Sequence, residues 1–262
     1  MHESLPHAGN GGTVLTLLYS ERTYRQQHRQ DDLVHFQVIV QETDLDIAVR
    51  KERFSSELIK AAENMVKKCR KPLEEYIQQD PAFVQALAPY EVPSTAPPLI
   101  QEMTRAAKKA GVGPMAAVAG AIAECVGRNL ARHSRDVIVE NGGDIFLRTS
   151  RTRYIGIFAG KSSLSYRLGL EIRPGVSPLG ICTSSGTVGH SFSSGKADAV
   201  VILSSSATLA DAVATAAANL VKNKEDVQAA VDFALSITGV TGAIAIKDDL
   251  LAVRGHVKLA PF

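Results

Sequence analysis

The sequence predicts an α+β fold in which a largely antiparallel sheet packs against helices. Strand-like and helix-like segments are mixed, without the regular strand–helix alternation of a doubly wound fold. Several strand pairs are joined by turns too short for the crossover that parallel strands need. The chain has 262 residues, of which 45% are hydrophobic, and this is enough for a substantial core. We therefore expect one domain over residues 13–262, preceded by a flexible stretch at residues 1–12.

The N-terminal part of this domain is expected to contain strands followed by a long helix. The segments TVLTLLYS (13–20) and LVHFQVIVQETDLDIAVR (33–50) are rich in β-branched and apolar residues that partly alternate, which predicts two or three antiparallel strands. Ser55 or Ser56 can cap a helix with Glu57 in its first turn, and we expect this helix to end at Pro72 or a little beyond it.

A proline-rich segment follows a second short helix, which we predict over residues 81–88. The segment PYEVPSTAPP (89–98) contains four prolines, which fix backbone angles and remove amide donors. It is therefore predicted to be a connector and to mark a junction between subdomains.

The remaining chain is predicted to contain both helices and strands. Residues 115–133 are apolar on nearly every face and rich in alanine and glycine, so this helix should be buried. The terminal segment AIAIKDDLLAVRG reads as a hairpin that turns at Asp248 and Asp249. The other predicted elements are a helix at 99–110, strands at 137–147 (broken by an Asn-Gly-Gly turn), 154–160, 166–172 and 199–204, and helices at 208–222 and 225–236.

Composition limits the classes of partner and compartment. The net charge of +2 comes from 29 basic and 27 acidic residues without a long basic block, so nucleic-acid binding is not indicated. Three cysteines without a CxxC spacing argue against a disulfide framework or a zinc site and favour a reducing compartment, with Cys125 in the core and Cys69 at the surface. No signal-like segment or membrane span is evident, so we expect a cytoplasmic protein.

Three segments concentrate polar groups among small residues: ENGGD (140–144), TSSGTVGHSFSSG (183–195) and ADAVAT (210–215). In the third, Asp211 and Thr215 lie four residues apart on one helix face, where their oxygens could both reach a hard cation. The alternative is that Thr208 and Asp211 cap the helix while Thr215 bonds back to a carbonyl. Spacing alone leaves both interpretations open.

The glycine-rich segment can be interpreted as an anion cradle or as a flexible linker. Amides freed by its glycines and five serine hydroxyls suit a phosphate, although the P-loop pattern is absent. His190 is either an acid, base or ligand, or a residue that only forms a hydrogen bond. Cys182 is either a nucleophile with a lowered pKa or an inert buried thiol. In ENGGD, Gly142 and Gly143 suit a tight turn.

These motifs resemble those of the ApbE superfamily, which carries a GGD/N turn, a TSG-then-His segment and an ADA-x-x-T motif in the same order. More closely, the chain resembles an uncharacterised ApbE-like family of archaea and anaerobic bacteria. The closer resemblance spans nearly the whole chain and rests on ETDLDIAV, GVGPMAAVAGAIAE, VENGGDIFL, LGICTSSGTVGHSFSSGKADAVV and ADAVAT.

The resemblance implies an ApbE-like fold with a cleft between two subdomains. Because the superfamily includes magnesium-dependent FAD:protein FMN transferases, it also implies a phosphate-bearing ligand such as FAD or FMN, with magnesium held by Asp211 and Thr215. The catalytic candidates are Cys182 and His190. The residues expected to contact the ligand are Asn141, Gly142, Gly143, Asp144, Thr183, Ser184, Ser185, Gly186, Thr187 and Gly189.

Three functions follow as hypotheses. The first is an ApbE-like protein, and by extension a transferase, that binds a phosphate-bearing ligand with magnesium. The second is a sulfur-handling enzyme using Cys182, since the near family has been associated with sulfur assimilation towards homocysteine. The third is a non-catalytic binding protein that retains the fold. The alanine- and glycine-rich helix and the terminal hairpin also suggest a homodimer.

Overall fold

The structure is a computed structural model and describes residues 30–186 and 195–262. Over these ranges the chain forms eleven β-strands and six α-helices, with additional short 3-10 helices. The predicted α+β class is confirmed. The strand predicted at 13–20 and the flexible stretch predicted at 1–12 lie outside the described residues.

The strands are, in chain order, β1 (Leu33–Val40), β2 (Thr43–Arg50), β3 (Val137–Asn141), β4 (Asp144–Arg148), β5 (Arg153–Gly156), β6 (Leu168–Ile172), β7 (Leu179–Ser184), β8 (Ala199–Ser204), β9 (Val240–Lys247), β10 (Leu250–Gly255) and β11 (Leu259–Pro261). The helices are α1 (Ser56–Gln79), α2 (Ala82–Gln85), α3 (Pro98–Ala110), α4 (Val118–Leu130), α5 (Ala207–Leu220) and α6 (Val227–Ser236).

Within the described ranges, eight strands form one antiparallel sheet in the order β1-β2-β3-β4-β7-β8-β9-β10, and three form a small sheet in the order β11-β6-β5. Side chains alternate across the large sheet, because successive residues of a strand point to opposite faces. In β3, Val137 and Val139 join the core under the helices, whereas Ile138 joins the core under the small sheet. The molecule therefore has three layers, with the large sheet in the middle.

Several predicted elements are confirmed close to their limits, including β1, β2, β8, α3 and the β9–β10 hairpin. The Ser55 hydroxyl accepts a hydrogen bond from the Leu58 amide at the start of α1, as expected for an N-cap. However, α1 runs through Pro72 to Gln79. A proline removes one helix hydrogen bond, and here the buried face on both sides of it, which includes Leu58 and Tyr76, keeps the helix packed.

The prediction against a disulfide is wrong, because Cys69 of α1 and Cys125 of α4 are bonded. The two residues are 56 positions apart, so no local spacing reveals the pair; the packing of α1 on α4 brings them together. Cys69 is only 5% exposed rather than on the surface, and Cys125 is only partly buried. A disulfide is not typical of a reducing compartment, so the cysteines do not support the predicted reducing compartment.

We expect loss of this disulfide to lower the free energy of unfolding by about 2–4 kcal/mol, because the bond restricts the unfolded chain over a long loop. Denaturant titrations of the wild type with and without reductant measure the effect, and the Cys69→Ala/Cys125→Ala variant should not respond to reductant. Thiol titration of the unfolded, unreduced chain should find one thiol. Three thiols would contradict the bond.

A buried ionic network joins β3, β5 and the start of β1. Arg153, which is 2% exposed, contacts Asp136 at 3.2 Å and Asp32 at 2.6 Å. Asp136 is 1% exposed and also accepts hydrogen bonds from the Ser150 amide at 2.6 Å and the Thr149 hydroxyl at 2.8 Å. Burial alone would raise the pKa of Asp136, but these hydrogen bonds and Arg153 lower it to about 2.

A lowered native-state pKa predicts how acid affects the fold. Asp136 stabilises the protein fully above the pKa of an unfolded aspartate, and this contribution is lost as the pH falls from about 4 towards 2. Denaturant titrations between pH 7 and pH 2 should therefore show a steeper loss of stability in the wild type than in Asp136→Asn. Parallel curves for the two proteins would contradict this assignment.

Of the helices in the described ranges, none taken singly has the length and apolar character needed to cross a membrane. The pair Pro98–Ala110 and Pro114–Leu130 meets that test jointly by length and composition, with a bend of 103° between its members.

The subdomain junction at residues 89–98 and the homodimer stay predictions.

Candidate functional site

The ENGGD segment forms the tight turn between β3 and β4. Gly142 and Gly143 have φ values of 68° and 104°, which favour glycine, so the predicted role of these two residues in the turn is confirmed. The Asn141 amide donates to the Ala119 carbonyl at 3.1 Å, and Asp144 accepts a hydrogen bond from the Thr183 amide at 3.3 Å. The polar side chains of this turn therefore connect it to α4 and β7.

The start of the glycine-rich segment is a strand rather than a loop. Residues 179–184 form β7, which pairs with both β4 and β8, so Cys182, Thr183 and Ser184 have fixed positions in the sheet. Alternation places Cys182 and Ser184 on the face towards the helices. The sequence prediction missed this strand because glycine and serine dominate its surroundings.

The loop begins at Ser185, and its two ends are held together. The Ser185 hydroxyl and the Gly186 amide both donate to the Ala197 carbonyl, at 3.3 and 2.9 Å. A side chain at Gly186 would collide with Gly195, and one at Gly195 would collide with the Ala218 carbonyl of α5. The predicted site residues Thr187, Gly189 and His190 lie outside the described residues.

Asp211 lies in the second turn of α5 and reaches the first turn of α4. Its Oδ2 accepts a hydrogen bond from the Gly120 amide at 2.8 Å, and the Ala119 amide also donates to it. Amides in a first helical turn lack partners within their own helix and carry positive partial charge, so they favour a carboxylate. The alternative in which Asp211 and Thr208 cap α5 is wrong, since Ser206 is the N-cap of α5.

Asp144 and Asp211 bring two carboxyl groups into the same buried region. Burial and the charge of Asp211 raise the pKa of Asp144 well above its usual value. Burial raises the pKa of Asp211 to about 7, against the hydrogen bonds from Gly120 and Ala119. In the part of the chain that the structure describes, neither carboxyl group has a lysine or arginine partner, so no cationic side chain there balances its ionised form.

Cys182 lies beside these carboxylates but is poorly suited to be a nucleophile. The thiol is fully buried and donates to the Ala207 carbonyl at 3.3 Å. Burial, together with the charges of Asp144 and Asp211, raises the pKa of the Cys182 thiol well above its usual value. The sulfur-handling hypothesis needs a lowered pKa for the Cys182 thiol. That expectation is wrong, because these surroundings raise the pKa and oppose thiolate formation.

We expect Cys182 to react with iodoacetamide at pH 7 at least about tenfold more slowly in the native protein than in the unfolded chain. The measurement is direct in unreduced protein, because Cys69 and Cys125 are bonded to each other and Cys182 is the remaining cysteine. If Cys182 is labelled as fast as an unstructured cysteine, the result would support a reactive thiol and contradict this prediction.

The structure thus brings together Asn141, Asp144, Cys182, Thr183 and Asp211. Ser184 follows on the same face of β7 as Cys182, and its Oγ is buried without a hydrogen-bond partner among the described residues. Thr215 is half-buried one turn beyond Asp211 on α5.

Two further residues contribute amides that the sequence analysis did not identify as part of the site. Ala119 and Gly120 lie in a helix that was interpreted only as core. The sequence feature that could have indicated free amides here is Pro114, because proline is common at the start of a helix. A cavity of about 220 Å³ opens between residues 91–94 and α3, and no predicted site residue lines it.

Comparison with known proteins identifies relatives over most of the chain. A family described as AbpE bacteria matches residues 25–248. A UPF0280 protein from Methanopyrus kandleri is 43% identical over 225 residues, which cover 84% of this chain and 89% of the relative. A UPF0280 protein from Methanocaldococcus jannaschii is 36% identical over 225 residues, with 84% and 90% covered.

Solved structures with a similar fold are more distant in sequence. The flavinyl transferase ApbE from Pseudomonas stutzeri, in its apo form, superposes with a TM-score of 0.54 at 13% identity, covering 87% of this chain and 95% of that one. The ApbE protein from Thermotoga maritima superposes with a TM-score of 0.51 at 14% identity, covering 85% and 96%. At these identities the match shows a shared fold.

Proposed function

The chain belongs to the family described as AbpE bacteria and has the ApbE fold, and we propose that it binds a flavin nucleotide together with magnesium. The proposal extends to an ApbE-like transferase, because structures that share the fold include flavin transferases. The proposed site consists of the β3–β4 turn, the end of β7, and the first turns of α4 and α5.

One observation supports the proposal above the others, namely the unbalanced pair of buried carboxylates, Asp144 and Asp211. A buried negative charge is costly unless a cation or a proton neutralises it, and two such charges add repulsion. Two buried carboxyl groups without a cation lower the stability of the free protein, and such pairs are typical of cation-binding sites.

The donor set suits magnesium rather than zinc or calcium. Among the described residues, no group of three or more histidine, cysteine, aspartate or glutamate side chains is placed to hold a metal. Magnesium often needs only one or two carboxylates, because water and substrate phosphates complete its coordination. In this proposal, Asp211 and Thr215 would hold magnesium, which would neutralise the phosphate groups of the ligand.

The protein groups around Asp211 would orient the phosphates. Ser184 offers a buried hydroxyl without a described partner. A buried hydroxyl without a hydrogen bond is unfavourable, and a ligand oxygen would satisfy it. By sequence, the amides of Thr187 and Gly189 would extend this cradle, and His190 would be the candidate to accept a proton from an attacking group.

The binding proposal is tested by thermal unfolding with FAD, FMN and riboflavin, each with and without magnesium. We expect FAD and FMN to raise the Tm only when magnesium is present, because a ligand that binds the native state stabilises it. Riboflavin lacks phosphate and should give no magnesium-dependent shift. Equal shifts with riboflavin, or no shift with any of the three, would contradict the proposal.

Release of AMP separates a transferase from a protein that only binds. Transfer of FMN from FAD to a protein hydroxyl forms one phosphate ester and breaks the diphosphate, so AMP leaves as the second product. Chromatography of FAD incubated with magnesium, this protein and candidate acceptor proteins would detect it. Binding of FAD without release of AMP would favour the non-catalytic alternative.

A further inference from the structure

Glu124 is a buried acidic residue of α4 that the proposed site does not use as a ligand. Its side chain is almost completely enclosed, at 2% exposure. Its Oε2 accepts hydrogen bonds from the Thr208 amide at 3.1 Å, the Thr208 hydroxyl at 3.2 Å and the Ser206 hydroxyl at 3.0 Å. Glu124 thus satisfies the N-terminus of α5, where backbone amides have no partner within the helix.

This contact is the counterpart of the one made by Asp211. Asp211 of α5 accepts hydrogen bonds from the amides of Ala119 and Gly120 in the first turn of α4. Each helix therefore supplies a carboxylate to the N-terminus of the other. We call these two contacts, Glu124 with residues 206–208 and Asp211 with residues 119–120, the reciprocal clasp.

The two helices approach each other closely between these contacts. A Cβ atom built at Gly120 would lie 2.3 Å from the Ala207 carbonyl oxygen and 2.8 Å from the Asp211 Cβ. These distances are too short for any side chain, so glycine allows the backbones to touch. With contact at Gly120 and a carboxylate on each side of it, α5 has little freedom to slide or rotate on α4.

Arg128 holds Glu124 from the opposite side. Its guanidinium donates to Glu124 Oε1 through Nε at 2.9 Å and through Nη2 at 2.5 Å, which leaves Oε2 directed at α5. A charged side chain that is fixed by several partners holds its orientation better than one with a single hydrogen bond.

We propose that Glu124 is a positioning residue, which fixes α5 on α4 so that Asp211 and Thr215 are held in place to bind the ligand. This proposal rests on the proposed function of the site. Glu124 makes none of the ligand contacts itself and acts through α5. Loss of it should therefore weaken ligand binding without removing a ligand-binding group.

Isothermal titration of FAD in the presence of magnesium tests the proposal with three variants. Glu124→Ala removes both oxygens, whereas Glu124→Gln retains an oxygen that can accept from Thr208 and Ser206. Leu58→Ala shortens a buried side chain of α1, a helix that packs on α4 rather than forming the site, and controls for general destabilisation. Mutation of residues that orient metal ligands typically lowers metal affinity or activity by about 10–100-fold.

We expect Glu124→Ala to weaken FAD binding at least about tenfold and Glu124→Gln to stay within about threefold of the wild type. Leu58→Ala should bind FAD as the wild type does, even if its Tm falls as far as that of Glu124→Ala. Equal affinities for Glu124→Ala and Leu58→Ala would overturn the proposal. If Glu124→Ala does not fold, Thr208→Val, which deletes one hydroxyl donor, should still weaken binding measurably, and unchanged affinity would overturn it.

Hydrogen exchange separates failure of the clasp from failure of the proposed function. If the wild type binds no FAD, the proposed function fails, and the exchange rates of the Ala119 and Gly120 amides still report whether Glu124 holds the helices together. These amides should lose more protection in Glu124→Ala than in Leu58→Ala. Full protection in Glu124→Ala would overturn the positioning role.

Discussion

Replacing Asp211 with asparagine is expected to abolish magnesium-dependent FAD binding while making the free protein more stable. The substitution removes one of two buried carboxylates that repel each other, and the asparagine oxygen can still accept from the Gly120 amide. We expect the free energy of unfolding at pH 7 to rise by roughly 1–2 kcal/mol, because a neutral amide is cheaper to bury than an unpaired carboxylate. FAD affinity should fall by about 100-fold or more, since a charged ligand to the cation is lost.

Asp198 provides a matched control. It is also a buried aspartate, but Lys247 lies 3.6 Å from its carboxylate and the Asp248 amide donates to it at 2.6 Å. Asp198→Asn should therefore lower stability and leave FAD affinity unchanged. Denaturant titration and calorimetry of both variants give the comparison. A destabilised Asp211→Asn with normal affinity would assign Asp211 to the structure of the α4–α5 contact alone.

Replacing Arg153 with methionine is expected to lower the free energy of unfolding by about 3–5 kcal/mol, because it removes the guanidinium in closest contact with the buried Asp136 carboxylate. Among the described residues, the remaining cation near Asp136 is Arg50, whose Nε lies 3.8 Å from Oδ2 and whose side chain is partly exposed. Methionine fills much of the same volume, so the loss reports mainly on charge rather than on a cavity. Thr149 and Gln30 also lose hydrogen bonds from the guanidinium, at 3.1 and 2.8 Å.

The control for this prediction is Arg173→Met. Arg173 pairs with Glu171 at 3.0 Å on the surface, where its side chain is 65% exposed. Exposed ion pairs contribute at most about 1 kcal/mol, so the control should change stability little. Denaturant titration at pH 7 measures both variants. Similar small losses in the two would show that the Arg153 network is not a stabilising element.

The parts of the fold that follow local rules could be predicted from the sequence. Alternation in residues 33–50 predicted β1 and β2, and the glycines at 142 and 143 predicted the β3–β4 turn. The strand β7 was missed, because its residues do not show the apolar alternation of a half-buried strand and it is buried on both faces. The disulfide could not be foreseen, because only the packing of α1 on α4 brings its cysteines together.

In the candidate site, too, local motifs could be recognised from the sequence, whereas contacts between distant segments could not. The motifs located Asp144, Thr183 and Asp211, and the structure brings these residues together. Sequence spacing could not show that Asp211 would meet the amides of Ala119 and Gly120, since Gly120 and Asp211 are 91 positions apart. For the same reason, Glu124, which lies inside a helix interpreted as apolar, was not singled out from the sequence. Its contacts with α5 depend on how two helices cross.

Anomalous diffraction at the manganese edge, from crystals grown with FAD and with Mn²⁺ in place of magnesium, locates the cation in the proposed site. We predict a manganese peak within coordination distance of the Asp211 carboxylate and the Thr215 hydroxyl, with the FAD diphosphate next to it and to Ser184. Bound FAD with the manganese elsewhere, or with no manganese peak at Asp211, would rule out Asp211 and Thr215 as the cation ligands.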